Sequence, residues 1–75
     1  MTEKQFEIYT FIVRFTKAHL YPPTVSEITE AVGLKSKSVT FEHLAKLEDL
    51  GYIKCSPGVS RGITLIGYEL RKATR

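Results

Sequence analysis

PPTVSEITEAVGLKSKSVTFEHLAKLEDL, residues Pro22 to Leu50, is the stretch from which the fold can be read. Thr24 followed three residues later by Glu27 has the spacing of a capping box, so a helix starts there. Ile28, Ala31 and Val32 recur at helical spacing and give this helix one apolar face. Gly33 falls where the helix must stop and the chain reverse, since glycine takes a positive φ without steric cost. Leu34 follows as an apolar plug. Ser36 then caps a second, longer helix with an apolar ladder of Thr40, Leu44, Leu47 and Leu50. Two capped helices joined by a short turn with a Gly and a buried Leu make a helix-turn-helix pattern.

Upstream, Thr2 and Gln5 form another capping box, which predicts a helix from about Glu3. Ile8, Ile12 and Phe15 share one face, flanked by Tyr9 and Phe11, and this face is expected to be the largest contribution to the core; Phe6 and Val13 lie at its margins. The helix should end by His19 or Leu20, because Pro22 disfavours helical geometry in Tyr21. Downstream, Gly51 ends the long helix. Tyr52 to Cys55 and Ile63 to Leu65 alternate as short strands, with Ile66 as an apolar follower, and Pro57-Gly58 marks a turn between them. The predicted class is therefore mostly α with a small β-hairpin. It is a winged helix-turn-helix of three helices plus a two-stranded antiparallel wing, over residues 1–66, with 67–75 as a basic C-terminal tail or the start of a linker. A helix-turn-helix presents the first turns of its second helix to the major groove of DNA.

Size and charge fit that expectation. The chain has 75 residues, enough for one domain with a thin stability margin. At 43% hydrophobic and 25% charged it is too apolar to be disordered over most of its length. No apolar run approaches the ~20 residues of a membrane span. The opening Glu3 and Lys4 in a helix pattern are unlike a signal peptide. The single Cys55 has no internal disulfide partner, which points to a reducing cytoplasm. The net charge of +3 is unevenly spread. Residues 1–53 carry six basic and seven acidic side chains; residues 54–75 carry Lys54, Arg61, Arg71, Lys72 and Arg75 against Glu69 alone. A basic final third suggests a polyanionic partner, or simply a solvated tail.

The segments P-P-T-x-x-E-I, V-G-L-x-S, E-H-L-x-x-L, L-G-Y-I and S-R-G-I-T-L, in this order and at these spacings, closely resemble the N-terminal DNA-binding domain of the LexA repressor family. The resemblance runs from about Thr2 to Ile66. It implies a bacterial or phage repressor of DNA-damage genes that binds palindromic operators as a dimer. It also implies a following hinge, a self-cleavage site and a latent Ser-Lys protease that supplies most of the dimer contacts. This chain stops at Arg75, so no enzymatic activity is expected in it. Either it is a fragment of a longer repressor or a small regulator in itself.

By similarity, Ser36, Ser38, Val39, Phe41 and Glu42 are the base-reading residues. Their chemistry suits the role: Ser38 donates or accepts at a base edge, Val39 and Phe41 pack on a thymine methyl, and Glu42 accepts from cytosine N4. The best-known family pattern has Asn and Glu where Ser38 and Phe41 stand, which implies a different operator. Two readings stay open for Phe41, a base contact or a core-margin aromatic, and for Glu42 the alternative is simple surface charge. Thr24 and Ser36 are caps whose helix N-termini offer N–H groups to a phosphate. Lys35 and Lys37 flank the turn as phosphate partners. Arg61, in the hairpin loop, reads as a wing contact to the DNA backbone or minor groove, or as an exposed loop charge.

Other chemistry finds little support. His19 and His43 lack companions at metal-ligand spacing, no Ser sits in a strained elbow, and no glycine-rich phosphate loop is present. No metal, cofactor, small-molecule substrate or membrane partner is expected. His43 is expected to pack or bond at the helix–hairpin junction, and Cys55 to be a small buried hydrophobe. The alternative from a different class is a winged-helix protein-interaction module binding another regulator or a polymerase subunit. Glu48 and Asp49 late in the second helix favour it, since acids facing DNA are unfavourable. The apolar ladders are all used internally, so a free monomer that dimerises weakly on a palindrome is expected.

Overall fold

The computed structural model describes residues 2–56 and 58–66. Three helices precede a hairpin: α1 (Glu3–His19), α2 (Val25–Val32), α3 (Lys37–Asp49), β1 (Ile53–Cys55) and β2 (Ile63–Leu65). The strands are antiparallel, with Ile53 opposite Leu65, Lys54 opposite Thr64 and Cys55 opposite Ile63. This is the winged helix-turn-helix expected from the sequence. The tail at 67–75 and Pro57 of the wing lie outside the described residues.

Each helix starts on the predicted cap. The Thr2 and Gln5 side chains exchange hydrogen bonds with each other's backbone N–H, as do those of Thr24 and Glu27, and the Ser36 hydroxyl accepts from Val39 N–H at 3.4 Å. Gly33 is left-handed at φ 77°, and its N–H donates to Thr29 O. The helix-turn-helix corner therefore needs the glycine the sequence supplies. The ends of α1 differ in kind. No glycine is available, and Leu20 itself takes φ 66°, costing ~1–2 kcal/mol for an L-residue with a Cβ.

The core draws on every element: Ile8 and Ile12 from α1, Ile28 from α2, Leu44 and Leu47 from α3, Ile53 from β1, Ile63 and Leu65 from β2. Each large aliphatic buried this way contributes ~1.5–3 kcal/mol. Leu34 is half-buried against this cluster, the plug expected between α2 and α3.

Several burial expectations need correction. Phe15 is half-buried and absent from the core; α1 outruns the core at its C-terminal end, and Phe15 packs instead against His19 and edge-to-face against Tyr21. Leu50 is exposed, because α3 ends at Asp49 and Gly51, at φ 88°, turns the chain off the helical face. Ala31 is exposed, since Ile28 and Val32, four apart, already define the inward stripe of α2. Tyr52 precedes β1 rather than belonging to it and packs its ring on Tyr9, with centroids 5.4 Å apart. Ile66 is exposed. Cys55 is half-buried; burial, then the Glu48 carboxylate, push its thiol pKa up, away from reactivity. His43 is half-buried on α3.

Candidate nucleic-acid interface

Helix α3 divides along its length. Thr40, Leu44 and Leu47 are buried on one side, while Lys37, Ser38, Phe41 and Glu42 are exposed on the other. Ser38, Phe41 and Glu42 stand at i, i+3 and i+4 and form one outward patch. Val39, a quarter-turn away, is half-buried, and the Ser36 cap is exposed at the tip. Phe41 is 56% exposed and no part of the core, so packing does not account for it.

A hydroxyl pair fixes how α3 lies on α2. Thr29 Oγ1 and Thr40 Oγ1 are 2.6 Å apart, and Thr40 is fully buried. Thr29 Oγ1 is 2.7 Å from Val25 O, and Thr40 Oγ1 is 3.3 Å from Ser36 O. Each hydroxyl has one proton, so the three contacts cannot all be made at once. The short distances select a relay in which Thr40 donates to Thr29 and Thr29 to Val25 O. Thr29 carried no signal in the sequence, because a threonine on an amphipathic helix reads as any polar residue.

The turn between α2 and α3 presents Lys35 and Lys37, both exposed. Thr24 is half-buried, its hydroxyl already accepting from Glu27 N–H at 3.1 Å. Thr24, Lys37 and Phe41 line one side of a groove of about 760 Å³ whose other side is the wing, with Val59 and Ser60. The structure thus brings the base of the helix-turn-helix, the start of α3 and the wing around one concave surface. Val59, exposed at the wing, is an apolar member of that surface which the sequence did not single out.

The wing is closed at its neck by Ser56 N–H donating to Gly62 O at 2.8 Å. Gly62 is required by close approach: a Cβ there would lie 2.7 Å from Ser56 O. Arg61 does not extend freely from the loop. Its guanidinium turns back toward α2 and hydrogen-bonds both Glu27 carboxylate oxygens and Pro22 O, beside the Tyr21 ring. Arg61 is the main cause of the lowered Glu27 pKa, with the Thr24 N–H bond next. Glu48 is also engaged: its carboxylate accepts from Cys55 N–H at 3.4 Å, which turns one of the two late acids of α3 toward the hairpin. Among the described residues, no cluster of His, Cys, Asp and Glu has the makings of a metal site, and no helix is long and apolar enough to cross a membrane.

Three capped helices, an outward patch on the third and a closed hairpin beside it define a winged helix-turn-helix domain. The chain belongs to the LexA DNA-binding domain family, whose family model matches residues 1–62. It is similar to the LexA repressor of Desulfatibacillum aliphaticivorans, 44% identical over 66 residues, which cover 88% of this chain and 32% of that protein. The LexA repressor of Staphylococcus epidermidis is 43% identical over 70 residues, covering 93% of this chain and 34% of that protein. That of Pseudomonas aeruginosa PAO1 is 44% identical over 69 residues, with 92% and 34% covered. The chain thus spans about a third of the length of these relatives.

Proposed function

We propose that this chain binds duplex DNA sequence-specifically and serves as the operator-reading domain of a LexA-like transcriptional repressor. The observation that carries the reading is the exposed start of α3, where Ser38, Phe41 and Glu42 stand clear while Thr40, Leu44 and Leu47 anchor the opposite face. In this reading Ser36, Ser38, Val39, Phe41 and Glu42 meet base edges in the major groove. Thr24, Lys35 and Lys37 hold the backbone. Arg61 was the fourth expected phosphate contact, and it joins the others only by leaving Glu27.

The operator is palindromic, with half-sites about one turn apart, and two chains meet weakly on it. The regulated genes are those of the DNA-damage response, and the protein works in the bacterial or phage-bearing cytoplasm, at the nucleoid. The test is selection of bound sequences from random duplex DNA, followed by titration across a salt series. A repressor domain enriches a two-fold symmetric site and loses affinity with a log–log slope near −0.9 per neutralised phosphate. A protein-interaction module enriches no sequence.

A further inference from the structure

Arg61 lies in the wing, but its bonds are made to the start of α2 and to Pro22 just ahead of it. Nη1 donates to Pro22 O at 2.8 Å and to Glu27 Oε1 at 2.9 Å, and Nη2 donates to Glu27 Oε2 at 3.1 Å. The two protons of Nη1 match its two acceptors, so all three bonds form together. The guanidinium carbon stands 4.6 Å from the Tyr21 ring centroid and 5.8 Å from that of Phe15. Glu27 Oε1 also accepts from Thr24 N–H at 2.8 Å. One carboxylate thus closes the first turn of α2 and grips the wing. The loop's own backbone bonds, Ser56 N–H to Gly62 O, Val59 N–H to Ser56 O and Gly62 N–H to Val59 O, stay within the hairpin, and Val59 and Ser60 are exposed, so the Arg61 fork is what ties the loop to α2.

We infer that Arg61 is a positioning residue: its fork on Glu27 and Pro22 aims the wing at DNA, and Arg61 itself contacts no phosphate. The inference rests on the DNA-binding reading above. Moving the guanidinium to a phosphate exchanges three formed hydrogen bonds and an aromatic face for one new contact, and it frees the wing as well. A wing held in place before binding loses less conformational freedom on DNA. The fork also explains why the position holds arginine. A lysine keeps the charge and serves a phosphate as a point cation, but it cannot bridge a carboxylate and a carbonyl in one plane.

The test uses the 75-residue chain with Arg61→Ala, Arg61→Lys and Glu27→Gln. Glu27→Gln retains the capping-box amide oxygen and removes the charged fork. Each variant is titrated against a mixed-sequence duplex across a salt series, and backbone amide exchange is followed without DNA. All three variants are expected to lose about three- to tenfold in affinity with the wild-type salt slope, as loss of preorganisation weakens binding without removing a phosphate contact. In the free protein the Ser56 and Gly62 amides should exchange faster while those of Ile12 and Leu47 keep their protection.

A salt slope lowered by about 1 in Arg61→Ala and restored in Arg61→Lys is the signature of a phosphate contact and overturns the inference. Tighter binding by Glu27→Gln, through release of Arg61 to DNA, overturns it as well. If wild type binds no duplex, the DNA-binding reading fails by itself. The exchange measurement still decides whether Arg61 aims the wing, and unchanged wing amides in Arg61→Ala and Glu27→Gln would refute it.

Discussion

Helix α3 and the wing border the same groove, and they are held by different forces. α3 is seated by Leu44 and Leu47 in the shared core and by a buried hydroxyl pair to α2. The wing is rooted by Ile53, Ile63 and Leu65 at its base, while its loop is held by backbone bonds among Ser56, Val59 and Gly62 and by the Arg61 fork. Burial of aliphatic side chains is strong and involves no charge to titrate or to screen. A partly exposed ion pair is weak and sensitive to its surroundings. Helix α3 is therefore seated by the shared core, whereas the wing loop is aimed by a polar fork that a change of charge can release, a division that suits the proposed reading of bases by the first and steadying of the complex by the second.

The contrast breaks most visibly at α3. Leu47→Ala should cost ~2–5 kcal/mol, enough to unfold much of a domain this small. Phe15→Ala should cost clearly less, because Phe15 belongs to the half-exposed aromatic file rather than the core. Chemical denaturation of both variants checks the order, and equal losses would restore Phe15 to the core.

The hydroxyl pair comes next. Thr40→Val keeps the shape, removes the donor to Thr29 and should cost ~1 kcal/mol in the same assay. A stabilised variant would mean that the buried hydroxyl is a burden and that apolar packing alone sets the α2–α3 angle.

A smaller gain is expected where α1 ends. Leu20 is 86% exposed at φ 66°, so Leu20→Asn gives up little packing and should raise stability by roughly 0.5–1 kcal/mol, because Asn tolerates the left-handed region. A thermal melt that moves down instead would show that the Leu20 side chain packs in solution.

The wing's ion pair should reveal itself through pH. Arg61 and the Thr24 N–H hold the Glu27 carboxyl below its ordinary value. A lowered folded-state pKa contributes stability above the unfolded carboxylate value and loses it as pH falls through the lowered one. The melting difference between wild type and Glu27→Gln should accordingly be present at neutral pH and close in acid. A difference that persists unchanged in acid would mean that the Glu27 charge contributes nothing to the fold.

These contrasts also mark how far the sequence could be read. Capping boxes and apolar periodicity are local, so the three helices, the Gly33 corner and the Thr40-Leu44-Leu47 stripe were legible before any coordinates. The two short strands followed from alternation and a turn signal, whereas their register did not. Phe15 and Leu50 misled because periodicity extends a face beyond the point where the core stops facing it. The Arg61–Glu27 fork joins residues 34 apart, and Thr29–Thr40 joins two ordinary polar positions 11 apart. Neither spacing leaves a periodic trace. The outward patch of α3 was visible from helix geometry, whereas the proposal that it reads bases came from family resemblance, since Ser, Phe and Glu on a helix surface do not by themselves specify DNA.

The central claim is that the start of α3 reads base sequence, and Ser38 tests it most directly. The measurement is the affinity of wild type and Ser38→Ala for a selected operator and for mixed-sequence duplex at fixed salt. Base contacts carry sequence information and backbone contacts do not. Ser38→Ala should therefore weaken the operator complex by ~1 kcal/mol or more while leaving mixed-sequence binding nearly unchanged. Equal weakening on both duplexes, or none on either, would contradict the account and leave Ser38 a helix-start residue.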